Sequence, residues 1–252
     1  MTDSWRKVRF IRTLPFGVHG YDRRVPDDAT PAQVGESAQD RLQLWGADLR
    51  SENLAKLDLR GAVLCGAQLA GMDLRGLDFS RADLRGANLN DADVSEAIFV
   101  GARLDEASLR GLQARHANFR HSTMLGADLT GARMKSVNFW RSDLAGLRAP
   151  DADLWSTVLF HCDLTGADLE QANLNAANLN LAVLRRARLR GADLHAASLF
   201  RADLREIDAR DANFWATNLI GVQWDGADLS GADLRDTNLA APSADEQQMD
   251  IT

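Results

Sequence analysis

Imidazole, thiol and carboxylate side chains are the groups of this chain that could bind a metal ion or catalyse a reaction. His116, His121 and His161 lie in an Asp-rich sequence, and imidazole and carboxylate groups together are common zinc ligands. Cys65 and Cys162 could form a disulfide only if the fold brought them together. No combination of nucleophile, base and orienting group, no phosphate-binding loop and no pair of buried carboxylates is recognisable in the sequence. These side chains must therefore be placed in a fold before any chemistry is assigned to them.

The sequence is a tandem repeat of five residues. Residues 81–90 read RADLRGANLN, and an apolar-type residue recurs at every position ending in 4 or 9 from Leu44 to Leu239. This gives forty pentads in one register, with leucine at the centre of 28 of them and alanine two places earlier in 24. An α-helix turns about 100° per residue and a strand alternates its faces, so neither element keeps a five-residue period on one side.

A chain that places two residues of every five inside must bend once per pentad, and four such bends close a square coil of twenty residues. The large central residue and the small alanine then point inward, because a narrow interior tolerates neither voids nor overfilling. Aromatic residues recur at intervals of twenty and are predicted to form a stacked core ladder on one wall, namely Phe79, Phe99, Phe119 and Phe139. We therefore expect an all-β fold, a right-handed quadrilateral parallel β-helix of about ten coils.

The repeat divides the chain into three segments. Residues 1–41 are predicted to form a small N-terminal cap with a short strand and a helix, residues 42–241 the β-helix, and residues 242–252 an acidic C-terminal tail. The exposed last coil predicts a homodimer through the C-terminal end. The chain has no apolar run of transmembrane length and no apolar signal-peptide segment, so we expect a cytoplasmic protein without a membrane partner.

This coil separates the groups that could have done chemistry. His121 and His161 fall at equivalent corners two coils apart, about 9.6 Å, which is too far for a shared metal ion, and His116 falls at a different corner. Cys65 points outward and Cys162 inward, nearly five coils away, so no disulfide is expected. The aspartates are interpreted as solvated turn residues. We therefore expect a protein that is not an enzyme and has no cofactor or metal site.

One wall differs from the others in its charge and in its outward side chains. This aromatic wall comprises residues 56–60 and the corresponding pentads at intervals of twenty, each with the corner residue that follows it. Its outward residues have a net charge of +3, whereas the other three walls have −3, −3 and −2. Exposed apolar groups together with arginine are typical of interaction surfaces. We predict a partner-binding stripe that consists of Val100, Arg120, Trp140, Arg141, Phe160, Phe200 and Ile220.

Two further interpretations concern aromatic residues outside the stripe. The alternative to a partner is that the N-terminal segment folds back and covers the stripe with Phe10, Phe16 and Tyr21. Trp155 and Trp215 are assigned to another wall and are interpreted as local packing features.

The A-(D/N)-L-x-x signature, as in GADLSGADL at 226–234, resembles the pentapeptide-repeat proteins over about residues 42–241. Among the members of that family, quinolone-resistance proteins resemble duplex DNA in girth and surface charge and bind DNA gyrase or topoisomerase IV in its place. The resemblance implies a non-catalytic, DNA-mimic-like binder of type II topoisomerase that protects against topoisomerase-poison antibiotics. The alternative is a structural or regulatory scaffold that binds another protein through the aromatic stripe.

A comparison of charge bears on these two hypotheses. Duplex DNA carries one charge per about 1.7 Å, so a rod of about 48 Å would need roughly 28 uncompensated negative charges to match it. Residues 42–241 have a net charge of only −5. Direct binding of nucleic acid is not expected either, because a wall with a net charge of +3 is sparse for phosphate neutralisation.

Overall fold

The computed structural model describes residues 41–238, which form a continuous solenoid of parallel β-bridges. Every bridge joins a residue to the one twenty positions later, from Gln43–Val63 to Asn218–Asn238. Backbone hydrogen bonds link each coil to the next, as when Leu64 N–H donates to Asp83 O at 2.7 Å. Twenty residues therefore complete one coil, which is the predicted offset. Apart from residue 41, the predicted N-terminal cap lies outside the described residues, as do the acidic tail, Phe10, Phe16 and Tyr21.

Each side of the coil ends in a β-turn whose third residue has a positive φ angle. Ala62 N–H donates to Leu59 O at 3.1 Å and Ala67 N–H to Leu64 O at 3.0 Å, and the same bond recurs along the body. Every position ending in 1 or 6 within 61–236 has φ between +54° and +76°. A type II turn requires this angle at its third residue. Glycine meets the requirement without strain, but Arg, Asp, Glu, His and Ser also occupy these places, so the stacked coils impose the turn on residues that do not favour it.

Two side chains from each pentad fill the interior. The central residue is buried in every pentad of the range 44–219, and the small residue two places earlier is buried in most of them. The four phenylalanines behind the aromatic wall stack on one another, with ring centroids 4.9, 4.5 and 5.3 Å apart along the series Phe79, Phe99, Phe119 and Phe139. Because apolar side chains line all four inner walls, the outward positions are free to vary without loss of the core.

Polar groups that enter this interior are bonded to the backbone. Ser142 Oγ donates to the carbonyl of Phe119 at 2.6 Å, and Cys162 Sγ donates to the carbonyl of Phe139 at 2.9 Å. Near the start of the body, the short 3-10 helix Leu54–Lys56 replaces one regular turn, and the side chain of Asn53 accepts a hydrogen bond from Ala55 N–H at its beginning. These local departures leave the twenty-residue offset unchanged.

The two ends of the described body differ in burial. Leu44 and Leu49 in the first coil are 2% exposed. Trp224, Leu229 and Leu234 in the last coil are only partly buried against the core, because no further described coil covers them. The homodimer that the sequence predicts at this end stays a prediction.

Candidate protein-interaction face

The residues of the predicted partner-binding stripe lie in one column along the aromatic wall. The strands of this wall are joined by parallel bridges at Ile98, Asn118, Asn138, Val158, Asn178, Ser198 and Asn218. Two positions after each of these bridges comes a partly exposed residue of one column, which is Asn180 after Asn178 and otherwise a stripe residue: Val100, Arg120, Trp140, Phe160, Phe200 and Ile220. Arg141 is the third residue of the turn that follows Trp140, and it is exposed.

Contacts with cationic and imidazole groups hold the aromatic rings of this stripe in place. The guanidinium groups of Arg120 and Arg141 lie 4.4 and 5.0 Å from the centre of the Trp140 ring, and His121 meets the same ring edge-on at 4.9 Å. Further along the column, the guanidinium of Arg201 lies 5.4 Å from the ring centre of Phe200. Such cation–π contacts contribute roughly 0.5–1 kcal/mol at exposed sites. The aromatic and arginine side chains of the stripe are thus held in fixed positions by contacts within the chain itself.

Five consecutive strands of the aromatic wall contain no charged residue, although charged residues make up 26% of the whole chain. We call this surface the neutral face, and it consists of residues 136–140, 156–160, 176–180, 196–200 and 216–220. Its outward positions hold serine, alanine, asparagine, valine, isoleucine and aromatic residues. An uncharged surface with aromatic residues is typical of the core of a protein–protein interface.

Two tryptophans border the neutral face on the edge opposite the stripe. Trp155 and Trp215 are turn residues at the corner where this face begins, and each is 43% exposed. The indole N–H of Trp215 donates to a carboxylate oxygen of Asp236 at 2.7 Å, and its ring stacks on His195 with centroids 4.5 Å apart. These contacts agree with the interpretation of Trp215 as a local packing feature, and both tryptophans, as turn residues, lie between the wall to which they were assigned and the neutral face.

Small and neutral side chains lie between the two edges. Ala176, Ala196 and Ala216 occupy the first turn column, and asparagine, serine and Val158 occupy the centre. The side-chain oxygen of Asn180 accepts hydrogen bonds from Ser198 Oγ at 2.6 Å and from the backbone N–H of Phe200 at 2.8 Å. Because these bonds join successive coils, the polar side chains of the neutral face are held in position by the neighbouring coil.

The opposite side of the coil is covered with ion pairs. We call it the ionic face, and it consists of residues 46–50 and the corresponding pentads at intervals of twenty. Arg188 binds the carboxylates of both Asp168 and Glu170, and Asp128 lies within 4 Å of two guanidinium groups. At the first of its strands, Arg50 donates two hydrogen bonds to Asp48 and lowers the pKa of that carboxyl to about 2. Most of its negative charge is therefore compensated locally.

The groups that could have bound metal ions or reacted are dispersed in the described part of the chain. No group of three or more His, Cys, Asp and Glu side chains there is arranged to hold a metal ion. Burial raises the pKa of Cys65 to about 11 and that of Cys162 to about 12, and the two thiols are not joined in a disulfide. Within residues 41–238, no helix has the length and apolar character needed to cross a lipid bilayer.

The sequence analysis predicted that the stripe residues form one column, but it did not identify the five adjacent strands of the neutral face. The sequence does contain the signal for the neutral face. When only every fourth pentad is compared, the five pentads from 136–140 to 216–220 contain no charged residue. The interpretation of Trp215 as a local packing feature agrees with its contacts to His195 and Asp236.

Comparisons with known proteins agree with this architecture. A family model for pentapeptide repeats, in eight copies, matches residues 43–80, 78–111, 115–146, 138–175, 169–206 and 210–240. The solved structure of HetL, a pentapeptide-repeat protein of the cyanobacterium Nostoc involved in regulating heterocyst differentiation, is 32% identical. The match covers 69% of this chain and 88% of HetL, with a TM-score of 0.50.

A second solved structure shows likeness of fold alone. Trypsin-treated QnrB1, a plasmid-mediated fluoroquinolone resistance protein, is 18% identical to this chain. That match covers 70% of this chain and 89% of QnrB1, with a TM-score of 0.51. No curated protein sequence matches the chain significantly. The structural neighbours imply a right-handed β-helix, as the repeat predicted.

Proposed function

The chain belongs to the pentapeptide-repeat family, and from this premise we propose that it is a non-catalytic module that binds a protein partner through its neutral face. The observation that carries the proposal is the run of five adjacent strands without a charged residue, bordered on both edges by aromatic side chains. Interface cores are depleted in charge and enriched in aromatic residues and arginine. The solenoid supplies a rigid support on which such a surface stays flat.

The pattern of packing favours a partner over a purely structural role. The buried phenylalanine and leucine side chains already form a continuous core behind the wall, so the outward Trp140 and Phe200 are not required to complete it. Contiguous exposed apolar surface reduces solubility and marks interaction sites in soluble proteins. Arginines hold the rings in place, which lowers the entropy lost when a partner immobilises them.

A quantitative recovery experiment tests this function. The full chain and the variant Ala196→Glu are affinity-purified from the cells that make the protein, and the proteins recovered with each are compared at low and raised salt. Glutamate already occupies the same turn place at Glu206, where φ is +59°, so the variant is expected to fold. A partner of the neutral face is recovered with the wild type at both salt concentrations and lost with the variant.

The matched control for this experiment is Gln171→Glu, which adds the same charge at an exposed corner that does not border the neutral face. It should retain the partner. The proposal fails if every protein recovered with the wild type is also recovered with Ala196→Glu.

A DNA-mimic-like binder of DNA gyrase or topoisomerase IV is the second candidate, and it predicts protection against poisons of these enzymes. One observation favours it: aspartates stand in one outward column on the side next to the neutral face, namely Asp73, Asp93, Asp153, Asp193 and Asp233. A row of carboxylates would face the basic DNA-binding surface of a topoisomerase. Ion pairs compensate four of these five charges, which weakens the likeness to DNA: Arg75 pairs with Asp73 and Asp93, Lys135 with Asp153 and Arg235 with Asp233.

A supercoiling assay tests the second candidate. A topoisomerase binder should inhibit gyrase supercoiling, or restore it in the presence of a quinolone, and its effect should fall steeply as salt rises. If supercoiling is unchanged with and without drug at low salt, this candidate is excluded. The Ala196→Glu variant should behave as the wild type in this assay, because the acidic column lies on another side of the coil.

A further inference from the structure

We infer that the neutral face docks one amphipathic α-helix of the partner, with an uncharged apolar face and acidic residues along one flank. The inference rests on the proposed function, since it names the kind of segment that the neutral face binds. It follows from the dimensions of the face, from the state of its backbone and from the charges along its edges.

The dimensions match one helix. The turn at Trp155 and the stripe residue Phe160 are five residues apart in an extended segment, so the two edges are separated by at most about 17 Å. Along the solenoid, the strands of Trp140 and Ile220 are four coils apart, or about 19 Å. An α-helix with its side chains is about 10–12 Å across, and 19 Å corresponds to roughly 13 residues or three to four turns.

The profile across the face also suits a helix that lies along the solenoid axis. One edge carries Trp155 and Trp215 and the other carries Trp140, Phe160 and Phe200, whereas the column beside the first edge contains only alanine or serine. Large side chains on both edges and small ones between them make a shallow trough. An amphipathic helix in a groove places its apolar residues against such a floor at i, i+3, i+4 and i+7.

An extended strand is a poor occupant of this surface. Strand addition needs unpaired backbone N–H and C=O groups at a sheet edge. On the neutral face the backbone is bonded to the coils before and after it, as when Asn178 N–H donates to Thr157 O at 2.9 Å and Leu179 N–H donates to Ser198 O at 2.7 Å. A partner on this face must therefore satisfy its own backbone, which an α-helix does.

A second copy of this chain is also a poor occupant. The face measures roughly 17 Å by 19 Å, or about 320 Å², and stable dimers bury about 800 Å² on each partner. Two neutral faces would meet over less than half of that area. A single helix covers the whole trough and is joined to a larger partner that contributes the remaining contacts.

Charge along the edges orients the helix. Arg120 and Arg141 lie at the stripe edge and form no ion pair with any residue of the described range 41–238. Aspartates flank both edges, Asp153 and Asp193 beyond the tryptophan edge and Asp143 and Asp163 beyond the stripe edge, and Lys135 at the tryptophan edge is paired with Asp153. The two arginines without ion pairs therefore distinguish the edges, and they attract acidic residues of the helix to the stripe edge. The docked helix should present its acidic flank to Arg120 and Arg141.

Site-directed photo-crosslinking in the cells that make the protein tests this inference. A photo-reactive amino acid replaces Ala196 at the centre of the trough, and in a control chain it replaces Ala145, at a corner that does not border the neutral face. Mass spectrometry of the crosslinked peptides identifies the segment that contacts position 196. We expect a segment with apolar residues at helical spacing and acidic residues on one flank, crosslinked from position 196 and not from position 145.

The identified segment is then synthesised and measured against the full chain by calorimetry and circular dichroism. Its helix content should rise on binding. Ala196→Arg should lower the affinity about tenfold or more. Arginine already occupies the equivalent place of another turn at Arg186, so the variant is expected to fold. Arg141→Glu should also weaken binding, and replacing the facing glutamate of the peptide by arginine should restore it.

The outcomes separate the inference from the proposed function. A crosslinked segment without helical spacing, or a second copy of this chain at position 196, overturns the helix inference and leaves a protein-binding function in place. If position 196 crosslinks to no protein while position 145 does, both the inference and the proposed function fail.

Discussion

The neutral face and the ionic face lie on opposite sides of the same coil and are built on the same backbone. Both have bridges at twenty-residue offsets, turns with positive φ and leucine-rich inner walls. They differ mainly in the outward residues, which are uncharged over five strands of one face and form a network of arginines and carboxylates on the other. In this architecture the inner positions determine the fold, and the outward positions can therefore be used for function.

The two faces also differ in what their outward side chains contribute to stability. Exposed ion pairs stabilise proteins by about 0–1 kcal/mol each, so the ionic face adds solubility and local order more than free energy. The neutral face gives up that solubility and exposes tryptophan and phenylalanine instead. Since the core is complete without them, the neutral face is the surface that we propose binds a partner.

The largest expected effect is a loss of stability when a buried side chain behind the aromatic wall is removed, in contrast to substitutions on either outer face. Phe119→Ala removes a ring that stacks on Phe99 and Phe139 at 4.5 and 5.3 Å, and it should lower the free energy of unfolding by about 3–5 kcal/mol. Chemical denaturation followed by circular dichroism measures the change. Phe119→Leu, which leaves a smaller cavity, should cost clearly less, and equal losses for the two variants would show that the ring stack contributes little.

Next in size is the effect of Trp140→Ala on binding. The ring lies between Arg120 and Arg141 in the stripe, and its loss should weaken the affinity for the partner about tenfold at both low and high salt. The free energy of unfolding should change little, because the side chain is on the outside of the wall. A loss of affinity that disappears at high salt would assign binding to charge and not to the neutral face.

Much of the fold was predictable from the sequence, because one period runs through forty pentads and the register never slips. The position of Leu84 relative to Leu104 follows from that period alone. What could not be predicted are features set by side-chain contacts between coils, such as the stacking of His195 on Trp215 or the placing of Arg120 over Trp140. These contacts depend on rotamers, which a period does not specify. That Trp155 also borders the neutral face follows from its place in a turn between two sides of the coil.

A smaller effect is expected from the ionic face. Arg188→Gln removes the ion pairs with Asp168 and Glu170, and it should lower the free energy of unfolding by at most about 1 kcal/mol, because the guanidinium is largely exposed. The difference from the wild type should shrink as salt is added. Binding of the partner should be unchanged. If Arg188→Gln weakens binding as much as Trp140→Ala does, the assignment of the two faces is wrong.

The smallest expected effect is on the loss of thermal stability at low pH. Arg50 lowers the pKa of Asp48 from 3.8 to about 2 by hydrogen bonds and charge, and Arg210 likewise lowers the pKa of Asp208. A carboxyl group whose pKa is lower in the folded chain stabilises the fold fully above its unfolded pKa, and this contribution is lost as the pH falls through the folded value. The melting temperature should therefore decline between about pH 4 and pH 2. Arg50→Gln should make this decline shallower, whereas Trp140→Ala should leave it as in the wild type. An equal decline in the wild type and Arg50→Gln would mean that the pairs of the ionic face do not contribute to acid sensitivity.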